Sequence, residues 1–187
     1  MHPPAVSVIE QIHAVVLAAE VPGIRLVGVD GPGGSGKSTI ARELSDAFGW
    51  PIVEIDDFLS WVSLDRWWPR FESEVIAPLL AGRSIRYQVR DWAGDEFGEG
   101  LGGWKGLAWS PIVIIEGIGS TRTAVAGSLA CRVWVDAPPS DRLERGLVRD
   151  GESHRDLWER YMADETRFFA ADHTVDRADV RIDTGRR

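Results

Sequence analysis

Apolar residues along this chain recur in two alternating rhythms. From Val6 to Glu20 they fall at Val8, Ile9, Ile12, Val15, Val16 and Ala19. That spacing predicts one face of a helix, and Pro22-Gly23 ends it. Ile24 to Val29 is then a short unbroken apolar run closing at Asp30, the mark of a strand buried on both faces. The alternation repeats. Lys37 to Phe48 predicts a helix with Ile40, Ala41, Leu44, Ala47 and Phe48 along one side, and Pro51 to Ile55 a second strand. Glu72 to Ala81 reads as a helix stopped by Gly82, and Ser84 to Val89 as a strand of poor periodicity. Pro111 to Ile115 and Cys131 to Val135 are further apolar strands, with a short helix over Thr121 to Leu129 between them. Helices over Pro139 to Asp150 and Asp156 to Ala171 follow, the second carrying Leu157, Trp158, Tyr161, Phe168 and Phe169, and Val180 to Asp183 closes the sheet. Trp92 to Trp109, rich in Gly and Trp, shows neither period. Excursions of that length are functional or disordered.

Apolar strands alternating with helices predict an α/β fold with a mostly parallel sheet covered on both faces and joined by right-handed crossovers. No internal repeat or linker breaks the pattern, and 187 residues suit a single domain spanning 1–187. The net charge of −8 argues against broad binding of nucleic acid or an anionic membrane. It does not argue against a nucleotide, because screening over about 8 Å lets local donors in a pocket outweigh the global field. One cysteine, Cys131, allows no intramolecular disulfide and no cysteine-based metal cluster; its apolar surroundings predict a buried structural thiol. No run approaches the roughly 20 apolar residues that span a bilayer. The N-terminus has neither a basic region nor a cleavage site, so a cytoplasmic location is expected. His154 and His173 stand isolated and are read as surface residues, supporting no metal site; no feature sets an oligomeric state.

Chemistry enters directly after the first strand. Gly31-Pro32-Gly33-Gly34-Ser35-Gly36-Lys37-Ser38 fits G-x-x-x-x-G-K-[ST], with a strand before and a helix after. Glycines let the backbone curl so that successive N–H groups form an anion nest, to which the helix N-terminus adds partial positive charge. Lys37 then reaches the β- and γ-phosphates, and the Ser38 hydroxyl can ligate Mg²⁺. A plain turn needs one or two glycines, whereas four of these six positions forfeit chain entropy, about 0.5–1 kcal/mol each relative to Ala. Gly31, Gly33 and Gly36 also spell the dinucleotide fingerprint, with Glu54 or Asp56 at about the expected distance. Lys37-Ser38 favours a terminal phosphate and Mg²⁺ instead, and the chain leaves little room for a second catalytic domain.

Ligands of such sheets bind beyond the carboxyl ends of the strands. Three apolar strands here end in acids: Asp30, Asp56-Asp57 and Glu116. Asp56 suits the orientation or deprotonation of an attacking hydroxyl and Glu116 a water-mediated Mg²⁺ contact, while Asp57 reads better as a cap or solvated strand end. Phosphoryl transfer rests on in-line positioning and charge stabilisation, so further cations are expected near the loop. Arg142, Arg145 and Arg149 share one helix face. An anion opposite them is one reading, with Arg145 and Arg149 foremost; pairing, with Asp141 four residues before Arg145, is the other.

The stretch Gly31–Thr39, then Ile55-Asp56-Asp57-Phe58, Val113-Ile114-Ile115-Glu116-Gly117-Ile118, Arg142-Leu143 with Arg145, and Arg149-Asp150 resembles the uridine kinase-like family over about Leu26 to Asp150. That family includes uridine–cytidine, nicotinamide riboside and pantothenate kinases and phosphoribulokinase. The resemblance implies a three-layer P-loop NTPase fold with a mostly parallel central sheet and a small lid, an enzyme using ATP and Mg²⁺, and a small-molecule hydroxyl as acceptor. It implies Gly31, Gly33, Gly34, Ser35, Gly36, Lys37, Ser38 and Thr39 around the nucleotide, and Ser38, Asp56 and Glu116 around Mg²⁺. It further implies Asp56 as base and lid arginines like Arg145 and Arg149. Family lids commonly carry adjacent arginines, but Gly146 follows Arg145 here. On the acceptor side the match thins. Arg90-Asp91-Trp92 stands near where uridine kinases have a Tyr-Asp-Phe-like stretch, and no His lies between His13 and His154. Asp91 is a candidate acceptor from a substrate hydroxyl, Trp92 or Tyr87 a stacking platform, and Asp65 a ribose contact; Trp61, Trp67 and Trp68 also crowd this region. A nucleoside such as uridine, a nonnucleoside alcohol, a sugar acid and a nucleoside monophosphate all stay open as acceptors. A nucleotide-dependent switch protein that recruits a partner through the Trp-rich excursion stays open as well.

Overall fold

The computed structural model describes residues 7–61, 64 and 66–185. Among them the chain runs α1 (Val8–Ala18), β1 (Arg25–Asp30), α2 (Lys37–Phe48), β2 (Ile52–Glu54), α3 (Trp68–Phe71), α4 (Ala77–Leu80), β3 (Ile85–Arg90) and β4 (Leu101–Leu107). It continues through β5 (Ile112–Glu116), β6 (Leu129–Asp136), α5 (Pro139–Asp150), α6 (Arg155–Asp172) and β7 (Val180–Asp183). The continuous apolar runs form one sheet in the order β2-β5-β1-β6-β7, every neighbouring pair parallel. β1 is central, with Leu26 opposite Val113 on β5 and Val29 opposite Val133 on β6. Its carboxyl end therefore opens between the ends of those two strands.

Strands apolar on both faces need a cover on each. Val27, Val29, Ile114 and Val133 pack against Ile12 and Val16 of α1 and Ile40 and Leu44 of α2. On the other face Leu26, Val113 and Ile115 meet Phe71, Leu79, Tyr161 and Phe169. The result is a three-layer α/β fold. Cys131 lies wholly inside the first of these layers, and burial pushes its thiol up to about 12. Ser7 starts α1: its hydroxyl accepts from the Glu10 N–H while the Glu10 carboxylate returns to the Ser7 N–H, a reciprocal cap. Among the described residues no helix is long and apolar enough to cross a membrane.

The structure departs from the sequence expectation at three places. The helix expected over Glu72–Ala81 starts earlier, at Trp68 with Pro69 in its first turn, and widens over Glu72–Ile76 into a π-helical turn where the Ala77 N–H bonds the Glu72 carbonyl. Pro78 follows; it has no N–H and its ring crowds the preceding turn, so the backbone opens there. The helix expected over Thr121–Leu129 is a run of 3₁₀ turns, Thr123–Ser128, and Leu129 already belongs to β6; so short a span containing Gly127 favours the tighter turn. The Trp92–Trp109 excursion contains β4, which pairs antiparallel with β3, Ile85 opposite Leu107 and Tyr87 opposite Lys105. Most of β4 is exposed, so no alternation marks it. Arg90 gathers the tip between these strands, donating to the carbonyls of Asp91 at 3.0 Å and Gly100 at 3.1 Å, and also to those of Asp95 and Gly98.

Candidate functional site

β1 ends at Asp30, and the glycine-rich turn leads straight into α2 at Lys37. Gly36 takes φ 93° at this junction, a left-handed conformation that costs glycine nothing. Asp30 stays out of the site. It is fully buried and accepts from the N–H groups of Gly31 (2.7 Å), Gly119 (2.9 Å) and Thr121 (2.8 Å) and from the Thr121 hydroxyl (2.8 Å). It thereby staples the start of the loop to the segment after β5. Burial pushes its carboxyl up, against the pull of those bonds. Within the loop, Ser35 Oγ is buried without a hydrogen-bond partner, and Lys37 Nζ donates to the Pro32 carbonyl at 2.9 Å.

A cleft of about 580 Å³ opens over the loop, lined by Gly33, Lys37, Ser38, Asp56, Glu116 and Arg149 among others. Asp56 comes from the 3₁₀ turn Ile55–Asp57 that ends β2, and Glu116 from the end of β5. Asp56 is open to the cleft but crowded by protein on its other sides, and this desolvation raises its carboxyl; Lys37 and Arg149 oppose the rise. Glu116 is 5% exposed, and burial pushes it up to about 7 against the attraction of Lys37 and a hydrogen bond with Ser38. One ammonium thus faces two carboxylates held above their ordinary range. Arg149 makes a forked ion pair with Asp150, at 2.7 and 2.9 Å, and lies over the Trp158 ring at 5.6 Å.

The structure brings Gly33, Lys37, Ser38, Asp56, Glu116, Arg149 and Trp92 to this cleft; Arg145, Tyr87 and Asp91 fall elsewhere. Arg145 turns to the back of the loop, donating to the Gly34 carbonyl at 3.1 Å and to Thr184 at 3.1 and 2.7 Å. Tyr87 is 3% exposed, its ring 4.8 Å from that of Phe58 and its hydroxyl donating to Asp57 at 3.0 Å, so it offers no stacking surface. Asp91 accepts from the Gly94 N–H at 2.9 Å, closing a turn of the hairpin tip. Trp92 does line the cleft, but its indole N–H donates to the Asp56 carbonyl at 2.8 Å. Asp57 is an ion-pair partner of Lys105 at 2.8 Å, shared with Glu54 at 3.1 Å. Asp65 lies outside the described residues.

Two residues that sequence reasoning missed shape the site from α6. Trp158, 1% exposed, fills the space between α5 and the loop and donates its indole N–H to Asp150 at 3.0 Å. A Cβ at Gly146 would stand 2.4 Å from its ring, which explains why no second arginine follows Arg145. Glu165, also 1% exposed, accepts from the Gly33 N–H at 2.7 Å and faces Arg142 at 3.5 Å. A readable signal exists: positions 158, 161, 165 and 169 form one helix stripe, and an acid interrupts its aromatic residues.

No family model matches the chain, and no curated protein matches it in sequence. Solved structures do. A possible uridine kinase from Bacillus stearothermophilus superposes with TM-score 0.68 at 20% identity, covering 94% of this chain and 97% of that one. A candidate fructose transport system kinase from Silicibacter sp. TM1040 gives 0.65 at 18% identity over 95% and 98%. Shikimate kinase from Acinetobacter baumannii, in complex with shikimate, gives 0.50 at 17% identity over 92% and 89%. At such identities the likeness shows a shared fold, that of proteins described as kinases.

Proposed function

We propose that this chain is an ATP- and Mg²⁺-dependent kinase that moves the γ-phosphoryl group to a hydroxyl of a small, uncharged acceptor, with a nucleoside such as uridine as the leading class. The observation that carries the reading is the meeting of Lys37 with Asp56 and Glu116, from two different strand ends, over one glycine-rich loop. The donor set fits a polyphosphate: the backbone amides of the glycine-rich turn at the start of α2, the Lys37 ammonium and the Ser38 hydroxyl that lines the cleft. Ser38, Asp56 and Glu116 fit a hard cation that takes oxygen ligands and retains water. Mg²⁺ held there would neutralise charge on the terminal phosphate oxygens. Lys37 holds the β- and γ-phosphates, Arg149 faces the developing charge, and Asp56 receives the proton of the attacking hydroxyl. The new bond forms between that oxygen and phosphorus as the bond to the β-phosphate oxygen breaks.

Two features of the cleft support an uncharged, planar acceptor. Its lining acids Glu54, Asp57, Glu96 and Asp150 are already paired, with Lys105, His154 and Arg149, so Lys105 beside the cleft is engaged and offers a charged acceptor group little. Trp61 and Trp92, 6.2 Å apart and nearly perpendicular, offer aromatic walls. The test is a panel of nucleosides, nonnucleoside alcohols, sugar acids and nucleoside monophosphates, read by coupled ADP detection. ADP release should depend on an uncharged acceptor and fall by about a thousandfold in Lys37→Ala, the scale of losing an electrostatic clamp. Release at full rate without any acceptor would replace the kinase by a nucleotide-hydrolysing switch protein.

A further inference from the structure

Glu165 sits on the buried face of α6, where a carboxylate is costly unless it is bonded. Two of its three partners, Gly33 and Lys37, line the cleft, while the third, Arg142, is buried behind the loop and donates to the Ala137 carbonyl. Oε1 accepts from the Gly33 N–H at 2.7 Å, Oε2 faces the Arg142 guanidinium at 3.5 Å, and Lys37 is the strongest electrostatic attraction it feels. A loop amide, an ammonium and a guanidinium are also what a terminal phosphoryl group requires. The contact leaves no slack. A Cβ on Gly33 would stand 2.9 Å from the Trp158 ring and 3.0 Å from Glu165 Oε1, so α6 rests directly on the loop. Gly33 faces the cleft, and the same helix lends the cleft Trp158 and Tyr161, whose rings meet that of Trp61 at 5.9 and 5.0 Å.

We propose that Glu165 is a positioning residue that reads the nucleotide state: its carboxylate holds the Gly33 amide in the absence of a terminal phosphoryl group and yields it when ATP binds. The exchange resets α6 and with it the Trp158–Tyr161 wall of the acceptor cleft. The inference rests on the phosphate-loop reading above. In this scheme the terminal phosphoryl group of ATP competes with the carboxylate for the Gly33 N–H, whereas ADP lacks that group and leaves the contact in place. After transfer Glu165 retakes Gly33, and the acceptor wall returns with it.

The experiment is calorimetric titration of wild type, Glu165→Gln and Glu165→Ala with Mg²⁺–AMP-PNP and Mg²⁺–ADP, with thermal melts to show that both variants fold. Removing the competing charge should tighten AMP-PNP binding about tenfold and change ADP binding less than about twofold, the scale of one charge-assisted hydrogen bond. In the wild type, AMP-PNP should shift tryptophan emission and ADP should not. Variants that lose affinity for both nucleotides equally would make Glu165 a mere support of the loop and overturn the proposal. Glu165→Gln, isosteric with the native residue, keeps the test alive if the alanine variant does not fold. A wild type that binds neither nucleotide would overturn the phosphate-loop reading itself.

Discussion

Asp56 occupies a position that its neighbours fix rather than its own bonds. Its carbonyl is held by the Trp92 indole and its carboxyl is left open to the cleft, raised by crowding and attracted by Lys37 and Arg149. A group so placed acts on the acceptor more than on the nucleotide. Asp56→Asn should therefore lower kcat by about 100- to 10,000-fold, the range of general base catalysis, while the AMP-PNP dissociation constant stays within about twofold. Parallel loss of both would leave Asp56 a structural or metal-holding residue without the role of base. At this scale the sequence disclosed the residues that backbone topology alone places: Lys37 and Ser38 by the loop, Asp56 and Glu116 by their strand ends. It misplaced Arg145 and Tyr87 because a side chain's direction depends on partners distant in the chain, here Thr184 and Asp57.

Among elements, α5 carries a glycine in its interior for a reason that lies on α6. Alanine is ordinarily better than glycine inside a helix by about 1 kcal/mol. At Gly146 the added methyl would meet the buried Trp158 ring at 2.4 Å, and overpacking of this kind costs about 1–3 kcal/mol. Gly146→Ala should thus be neutral to destabilising in urea unfolding despite its better propensity. A gain of about 1 kcal/mol would show that α6 does not press on α5 as described. Long elements with strong periodicity, such as α2 and α6, were legible in the sequence because the sheet demands one apolar face from each. β4 was not, since most of it is exposed and it meets the core through Leu107 at its end, and the π-helical turn was hidden because a helix with Pro78 can either end or widen.

The molecule as a whole holds several acids away from water, and this sets how its stability depends on pH. Burial pushes Glu165 up to about 7 from an ordinary 4.5, with Lys37, the Gly33 N–H and Arg142 opposing. Between these two values the folded chain binds more protons than the unfolded chain, so stability is greatest below pH 4.5 for this group and falls as pH rises to about 7. The shift corresponds to at most about 3 kcal/mol. Glu116 acts with the same sign, whereas Asp150 and Asp172, lowered from 3.8, act only in more acidic solution. Glu165→Gln should flatten the decline between pH 4.5 and 7 in chemical denaturation; parallel curves for variant and wild type would mean that Glu165 titrates normally. Alternating strands and helices made the three layers readable, but the strand order β2-β5-β1-β6-β7 was not, because one sequence does not say which strands pair. The β3–β4 hairpin stands apart from that order: it joins the β2 end through Lys105 to Asp57 and Glu54, through the Tyr87 hydroxyl to Asp57, and through the Trp92 indole to Asp56. Outside the main sheet but rooted in the core by Ile85 and Tyr87, the hairpin is fixed at its base, and it is the tip, with Trp92 and Glu96, that reaches the cleft. That tip can drift in sequence and redefine which guest is admitted, while the engine that handles phosphate keeps its frame.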